Sequence, residues 1–398
     1  MRWWWLLVLL VGLSRGTVAA ERGPVVLVHY MPWYLTKPVS GVWGWHWTMN
    51  KFDPEKTGQN GRPEAATHDQ PLIGLYDSND PAVLECQVLQ MKLAGIDGVI
   101  VDWYGRADFR DYAVCHRNTL HLIAQLKRAG MKFAICYEDQ SIKHRVEAKQ
   151  LPESEAVAAG KSELAFVAEE WFRDEAYVRV NGRPLLLVFG PQYFPRREQW
   201  QALTGGIEPQ PVLLGLPHLV KEAGFDGAYG WPPVTGGVEI PPDVWRKYLV
   251  ELMDRAKAGE TVVPVAFPGF RDIYQEAGLH ASYGSIDPRK GATLAESLEI
   301  ALSSRLPVIQ IATWNDYGEG TTVEPTVGNG YRSLEQIQAA LKRTRSKEDL
   351  RLPARLFALR KGTRGESLKE RLDAAAELLR KGKPAEARKV LIVAEQGR

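Results

Sequence analysis

Cysteine is scarce: the 398 residues hold three, Cys86, Cys115 and Cys136. Three thiols cannot all pair, none sits in a CxxC spacing, and each lies in an apolar context. That excludes a disulfide scaffold and a structural zinc site, and leaves core thiols with at most one disulfide. Net charge is also small, +2 over the chain. It is unevenly placed, with 18 Lys and Arg against 9 Asp and Glu in residues 331–398 and −7 over the first 330. The basic positions of the tail alternate with apolar helical ones, so they read as a solvated helix face, and no nucleic-acid partner is expected. Long apolar runs are missing too. The longest, Trp3 to Leu13, is too short for a permanent bilayer span. With Arg2 before it and Ala19 and Ala20 after it, residues 1–20 have the layout of a secretory signal peptide, so the expectation is a secreted or periplasmic protein without stable membrane insertion after cleavage.

Cofactor motifs are absent as well. AAGKS (158–162) suggests a phosphate loop, but the required first glycine falls on Glu155; no GxGxxG follows a strand, and there is no HExxH and no GxSxG elbow. His29, His46, His68, His116, His121 and His144 show no ligand spacing, so neither a metal nor another cofactor is implied.

What remains is an ordinary globular composition, 45% hydrophobic and 25% charged, with a repeating pattern. Eight apolar runs recur: PVVLVHY (24–30), GIDGVIVDWYG (95–105), KFAICYED (132–139), RPLLLVFG (183–190), PVLLGLP (211–217), FDGAYGW (225–231), TVVPVAFPGF (261–270) and LPVIQIATWND (306–316). Continuous rather than alternating apolar residues mark strands buried on both faces. Amphipathic segments between them, such as 80–95 and 116–130, supply crossover helices. Eight such units over roughly 300 residues predict an α/β fold, a (β/α)₈ barrel, with a doubly wound open sheet as the competing topology. The fifth and sixth strands are the weakest, with few residues between them. The chain therefore divides into the signal peptide (1–20), the barrel (21–330) and a C-terminal helical extension (331–398). Residues 35–79 form a long insertion after the first strand, on the face where barrel enzymes build their sites, and 231–245 a second loop. Residues 367–396 read as a tetratricopeptide-like hairpin that docks on the barrel, since one unit cannot bury its own face.

At the strand ends the sequence turns from aliphatic to aromatic and polar. Tyr30, Trp33 and Tyr34 follow the first strand; Asp102, Trp103 and Tyr104 end the second; Glu138 ends the third; Trp231 ends the sixth; Trp314, Asn315, Asp316 and Glu319 end the eighth. Flat rings stack on the apolar faces of sugars while carboxylates and Asn bind hydroxyls, which favours a carbohydrate ligand. Asp316 and Glu319 are three residues apart, so their Cα atoms lie no more than about 10 Å from one another. That range covers the roughly 5–9.5 Å of glycoside-cleaving carboxyl pairs. The plain alternative is an Asp316 that caps a turn and a Glu319 in solvent.

HYMPWY, GIDGVIVDWYG and WNDYGEGTTVE together resemble the glycoside hydrolase family 71/99-like group, which includes endo-α-mannosidases. The similarity runs in order over residues 25–330 and omits the helical tail. In that group the last motif has the form NEWHEGTxxE. The resemblance implies that Asn315 matches the Asn, Asp316 the glutamate that deprotonates the sugar 2-hydroxyl, Glu319 the general acid and base, and Glu324 a structural glutamate. Two positions depart: Asp316 is one methylene shorter than glutamate, and Gly318 stands where the motif has His. The expectation is a glycosidase acting on a polysaccharide or glycan, with catalytic Asp316 and Glu319. Two alternatives stand beside it: a non-catalytic glycan-binding or sugar-transfer protein on the same barrel, and a scaffold that contacts another protein through its C-terminal helices.

Overall fold

A computed structural model describes residues 23–58, 61–342, 346–362 and 365–396; the segment read as a signal peptide lies outside them. The eight apolar runs become eight barrel strands: β1 (Val25–Tyr30), β2 (Gly98–Trp103), β3 (Lys132–Tyr137), β4 (Arg183–Val188), β5 (Val212–Gly215), β6 (Gly227–Tyr229), β7 (Thr261–Val263 and Val265–Ala266) and β8 (Val308–Ile311). Each pairs in parallel with its neighbours, and β1 pairs with both β2 and β8, Val25 opposite Val308. That closure settles the topology as a (β/α)₈ barrel and removes the open sheet.

The last seam depends on Pro264. Proline has no N–H to give to a ladder, and β7 breaks there: its first segment pairs with β6 and its second with β8. The Pro264 carbonyl still accepts from Gln310 N at 2.9 Å. The closely spaced fifth and sixth strands are joined by one helical turn, Val220–Ala223, capped by Gly224 at φ 68°. Gly227 opens β6 because the backbones meet there: a Cβ would lie 1.9 Å from the Thr261 carbonyl oxygen.

Strand side chains alternate between two environments. Leu27, Ile100, Ala134, Cys136, Leu185 and Leu187 fill the barrel interior. Val26, Val28, Tyr30, Val99, Val101 and Trp103 face the helices.

The helix Pro81–Ala94 starts well, with Asp80 accepting from Ala82 N and Pro81 in the first turn, and stops at Gly95, φ 92°. Eleven of its residues are buried, so it is covered on its outer side too. That cover is the C-terminal extension, the helices Arg332–Ala340, Leu352–Lys361, Glu366–Arg380 and Pro384–Gln396. The hairpin docks as expected. Ala375, Ala376 and Ala387 are buried between its helices, whereas Ala374 and Ala385 face outward. No helix among the described residues is long and apolar enough to cross a membrane.

Candidate active site

The C-terminal ends of the strands surround a cavity of about 780 Å³. Asp102 and Glu138, from the ends of β2 and β3, and Asp316 and Glu319, from beyond β8, all line it, with Trp33, Tyr104 and Trp231 among its walls. A second cavity of about 560 Å³ shares Tyr104 and Gln140 with the first and continues toward Trp45, Arg110 and His144. The site is therefore a groove with room for more than one sugar unit.

Five other residues expected here lie elsewhere, and strand periodicity explains two of them. Residues two apart on a strand share a face, so an inward His29 puts Tyr30 outward, and an inward Asp102 puts Trp103 outward. Tyr30 is buried and donates to Gln87 Oε1 at 2.6 Å. Trp103 packs on Phe166 and Trp171 behind the barrel. Trp314 is likewise buried in the outer layer. Tyr34 and Asn315 hold the backbone of the site. Asn315 Oδ1 accepts from Met31 N at 2.8 Å and its Nδ2 donates to Met31 O at 2.9 Å, tying β8 to β1. The Tyr34 hydroxyl donates to Asn315 O at 2.8 Å and accepts from Tyr317 N at 3.1 Å. These five are corrected from sugar contacts to core and positioning residues.

The cavity also draws on residues that sequence reasoning passed over: Phe189, Tyr248, Phe270, Tyr274 and Tyr283. Phe270, Tyr274 and Tyr283 belong to the connection after β7, whose aromatic content was the available signal. His29 was counted only among the histidines without ligand spacing. Its Nε2 is buried without a hydrogen-bond partner, 4.0 Å from Asp102 Oδ1, and its ring meets Trp231 edge-on at 4.9 Å. His29, Asp102 and Cys136 offer ligand atoms within 4.8 Å of one another, a cluster that chain spacing does not reveal.

The turn that carries the acids is pinned from several sides. Asp316 N donates to Thr313 Oγ1 at 2.8 Å, and Asp316 Oδ1 accepts from Glu319 N at 3.0 Å. Arg271 N donates to Glu319 O and Ile273 N to Gly318 O, both at 2.9 Å. Asp316 thus does cap its own turn, the plain alternative, while lining the cavity. At Gly318 a Cβ would sit 3.0 Å from Met49 and 3.5 Å from Asp316 Oδ1. A Cβ would crowd the end of the Met49 side chain and lie in ordinary contact with Asp316.

Burial raises both carboxyls. Asp316 is pushed up to about 6, chiefly by desolvation and further by the charge of Asp102, against the opposing pull of the Glu319 N–H and His46. Glu319 rises well above the usual carboxylate range, from desolvation first and then from Asp316 and Asp272. Its Oε2 is buried without a partner. Such environments keep one acid protonated while its neighbour ionises.

Behind the turn, Glu324 accepts from Tyr76, Tyr317 and Gln87 at 2.7–2.9 Å. Desolvation nevertheless lifts it to about 7. The folded state therefore holds this proton more tightly than the unfolded chain. The resulting stabilisation, on the order of 3 kcal/mol, is complete below the unfolded value near 4.5 and is lost as pH rises through about 7. Melting temperature should fall between pH 5 and 8, and Glu324→Gln, which stays neutral, should flatten that decline; a thermal melt series checks it.

The chain is similar to several known proteins. A family model described as glycosyltransferase WbsX matches residues 40–213, which stops short of β8 and its acids. WxcX of Xanthomonas campestris is 25% identical over 382 residues, 83% of this chain and 51% of WxcX. The chain thus spans about half the length of that relative. A zebrafish glycoprotein endo-alpha-1,2-mannosidase-like protein is 24% identical over 309 residues, 71% of this chain and 65% of that one. Among solved structures, the GH99 endo-alpha-mannosidase of Bacteroides thetaiotaomicron superposes with a TM-score of 0.58 at 19% identity, over 80% of this chain and 98% of that one. The resemblance read from the three motifs is borne out, and the barrel is of the same fold as that enzyme.

Proposed function

We propose that the protein is a glycoside hydrolase acting on a polysaccharide or glycan, with Glu319 as general acid and base and Asp316 as the partner carboxylate. The single observation that carries this reading is the placement of both acids on one pinned turn, facing one aromatic-walled groove. Glu319 protonates the departing glycosidic oxygen. Asp316, ionised, takes the proton of the sugar 2-hydroxyl as that oxygen closes on the anomeric carbon and the glycosidic bond breaks, as the family resemblance implies; water then opens the 1,2-anhydro ring with Glu319 as base, and Asp316 returns its proton to the 2-oxygen. Residues 1–20 support export to the periplasm or beyond, where such substrates are met.

The test is a glycan panel: α-mannan, xylan, arabinan and host glycans, each offered to the wild type and to Glu319→Gln. Turnover that is lost in the mutant supports the assignment; turnover unchanged in the mutant sinks it. The pH profile has a required sign. Asp316 must be ionised and Glu319 protonated, so kcat/KM should rise through about 6 and fall again at higher pH as Glu319 loses its proton.

A second reading, sugar transfer on the same barrel, is favoured by the match to the WbsX glycosyltransferase model over residues 40–213. A transferase would consume an activated sugar donor and leave the glycan panel untouched.

A further inference from the structure

The second carboxylate pair has no part in the acid and base roles above. Asp102 is 2% exposed and points inward from β2, and no protein donor among the described residues reaches its carboxylate. His29 Nε2 lies 4.0 Å from it and is itself without a hydrogen-bond partner. Glu138 N donates to Trp103 O at 2.9 Å, which extends the ladder by one residue and keeps Glu138 on the inward face that Asp102 and Cys136 share. Glu138 is 4% exposed and takes one hydrogen bond, from Gln140 Nε2 at 2.6 Å. A buried carboxylate without donors costs several kcal/mol. Here Asp102 has no donor and Glu138 has one, and the cavity they share with Asp316 and Glu319 has no Lys or Arg among its described lining residues. The walls between them are the aromatic groups Trp33, Tyr104 and Trp231, whose ring faces attract cations.

We infer that the sugar this groove takes carries a free amino group, held as an ammonium between Asp102 and Glu138 against the Tyr104 side of the cavity. The inference rests on the glycan reading above and names its substrate class, an amino-sugar polymer or oligomer that is not N-acetylated. An ammonium is compact and offers three donors, enough for one bond to each carboxylate and a third to a neighbouring acceptor. An N-acetyl group would remove the charge and leave both acids uncompensated. A hydroxyl in the same place would satisfy one lone pair and no charge.

A metal ion fits the same corner less well. Zinc bonds of about 2.0–2.3 Å place tetrahedral ligands roughly 3.3–3.8 Å apart, closer than the 4.0 Å between His29 and Asp102.

The test is calorimetric titration of Glu319→Gln, in which turnover is slowed, with oligomers of glucosamine and of galactosamine, their N-acetylated counterparts and neutral mannan oligomers. Free-amine oligomers should bind at least tenfold more tightly than the N-acetylated ones. Asp102→Asn, added to the same protein and shown folded by circular dichroism, should abolish that preference. N-acetylated or neutral oligomers that bind as tightly as the amines overturn the inference while leaving the glycan site standing. A preference that survives Asp102→Asn overturns it too. If no sugar of any kind binds, the glycan reading falls with it. Zinc titrated alone, binding one to one in wild type and lost in His29→Ala, would assign the corner to a metal instead.

Discussion

Glu319→Gln is expected to lower kcat on unactivated glycans by about 10² to 10⁴, the range that a positioned general acid contributes. KM should change little, because Gln occupies the same space and the groove walls remain. The loss should depend on the leaving group. An aryl glycoside whose phenolate departs without a proton does not need the acid for bond cleavage, so its first step should be largely spared, whereas an alcohol leaving group should show the full deficit. Asp316→Asn should instead impair both substrate types, because removal of the 2-hydroxyl proton precedes either departure. The turn geometry underlies the contrast: Asp316 is anchored by the Glu319 N–H at 3.0 Å, and Glu319 Oε2 is left without a protein partner.

Glu85→Ala should be the most destabilising single change outside the groove. Glu85 lies on the helix Pro81–Ala94 and accepts from Arg360 at 2.7 Å and from Arg380 at 2.5 Å, joining the barrel to two helices of the C-terminal extension. Its side chain is 10% exposed, and that of Arg380 8%. Removing the acid leaves Arg360 with Asp373 and Arg380 with Glu377, both partners more exposed than Glu85, so the loss should approach, from below, the roughly 3–5 kcal/mol of a buried pair broken from one side. Chemical denaturation should show this loss, with Arg360→Ala giving a smaller one because Arg380 keeps its bond to Glu85. Deletion of residues 331–398 should be more severe. It strips the cover from an almost wholly buried helix, and each large apolar side chain newly exposed forfeits roughly 1.5–3 kcal/mol. A truncated chain that folds and binds glycan normally would show the extension to be a separate module.

The barrel was legible because strands buried on both faces leave continuous Val, Ile and Leu runs, and all eight runs became barrel strands. Closure was legible only through the count of units, since nothing in a sequence states that Val25 will lie opposite Val308. At the site, the acids and Trp33, Tyr104 and Trp231 were placed together, because loops at strand ends converge whatever their detail. Tyr30 and Trp103 were misplaced because aromatic type was read without the two-residue alternation that turns them outward, and Trp314 lies past the end of β8, buried in the outer layer. Tyr34 and Asn315 were misplaced for another reason: their polar atoms are consumed by backbone groups 281 and 284 residues away. The cluster of His29, Asp102 and Cys136 comes from three separate strands, and no local pattern foretells it.

The most direct test of the central claim is hydrolysis in ¹⁸O-labelled water, followed by mass spectrometry of the released reducing ends. A hydrolase using Asp316 and Glu319 places one ¹⁸O at the anomeric carbon of each new reducing end, and Glu319→Gln slows that labelling of an unactivated glycan by about 10² to 10⁴. Products that appear only when an activated sugar donor is supplied, or label that enters undiminished in Glu319→Gln, would contradict it.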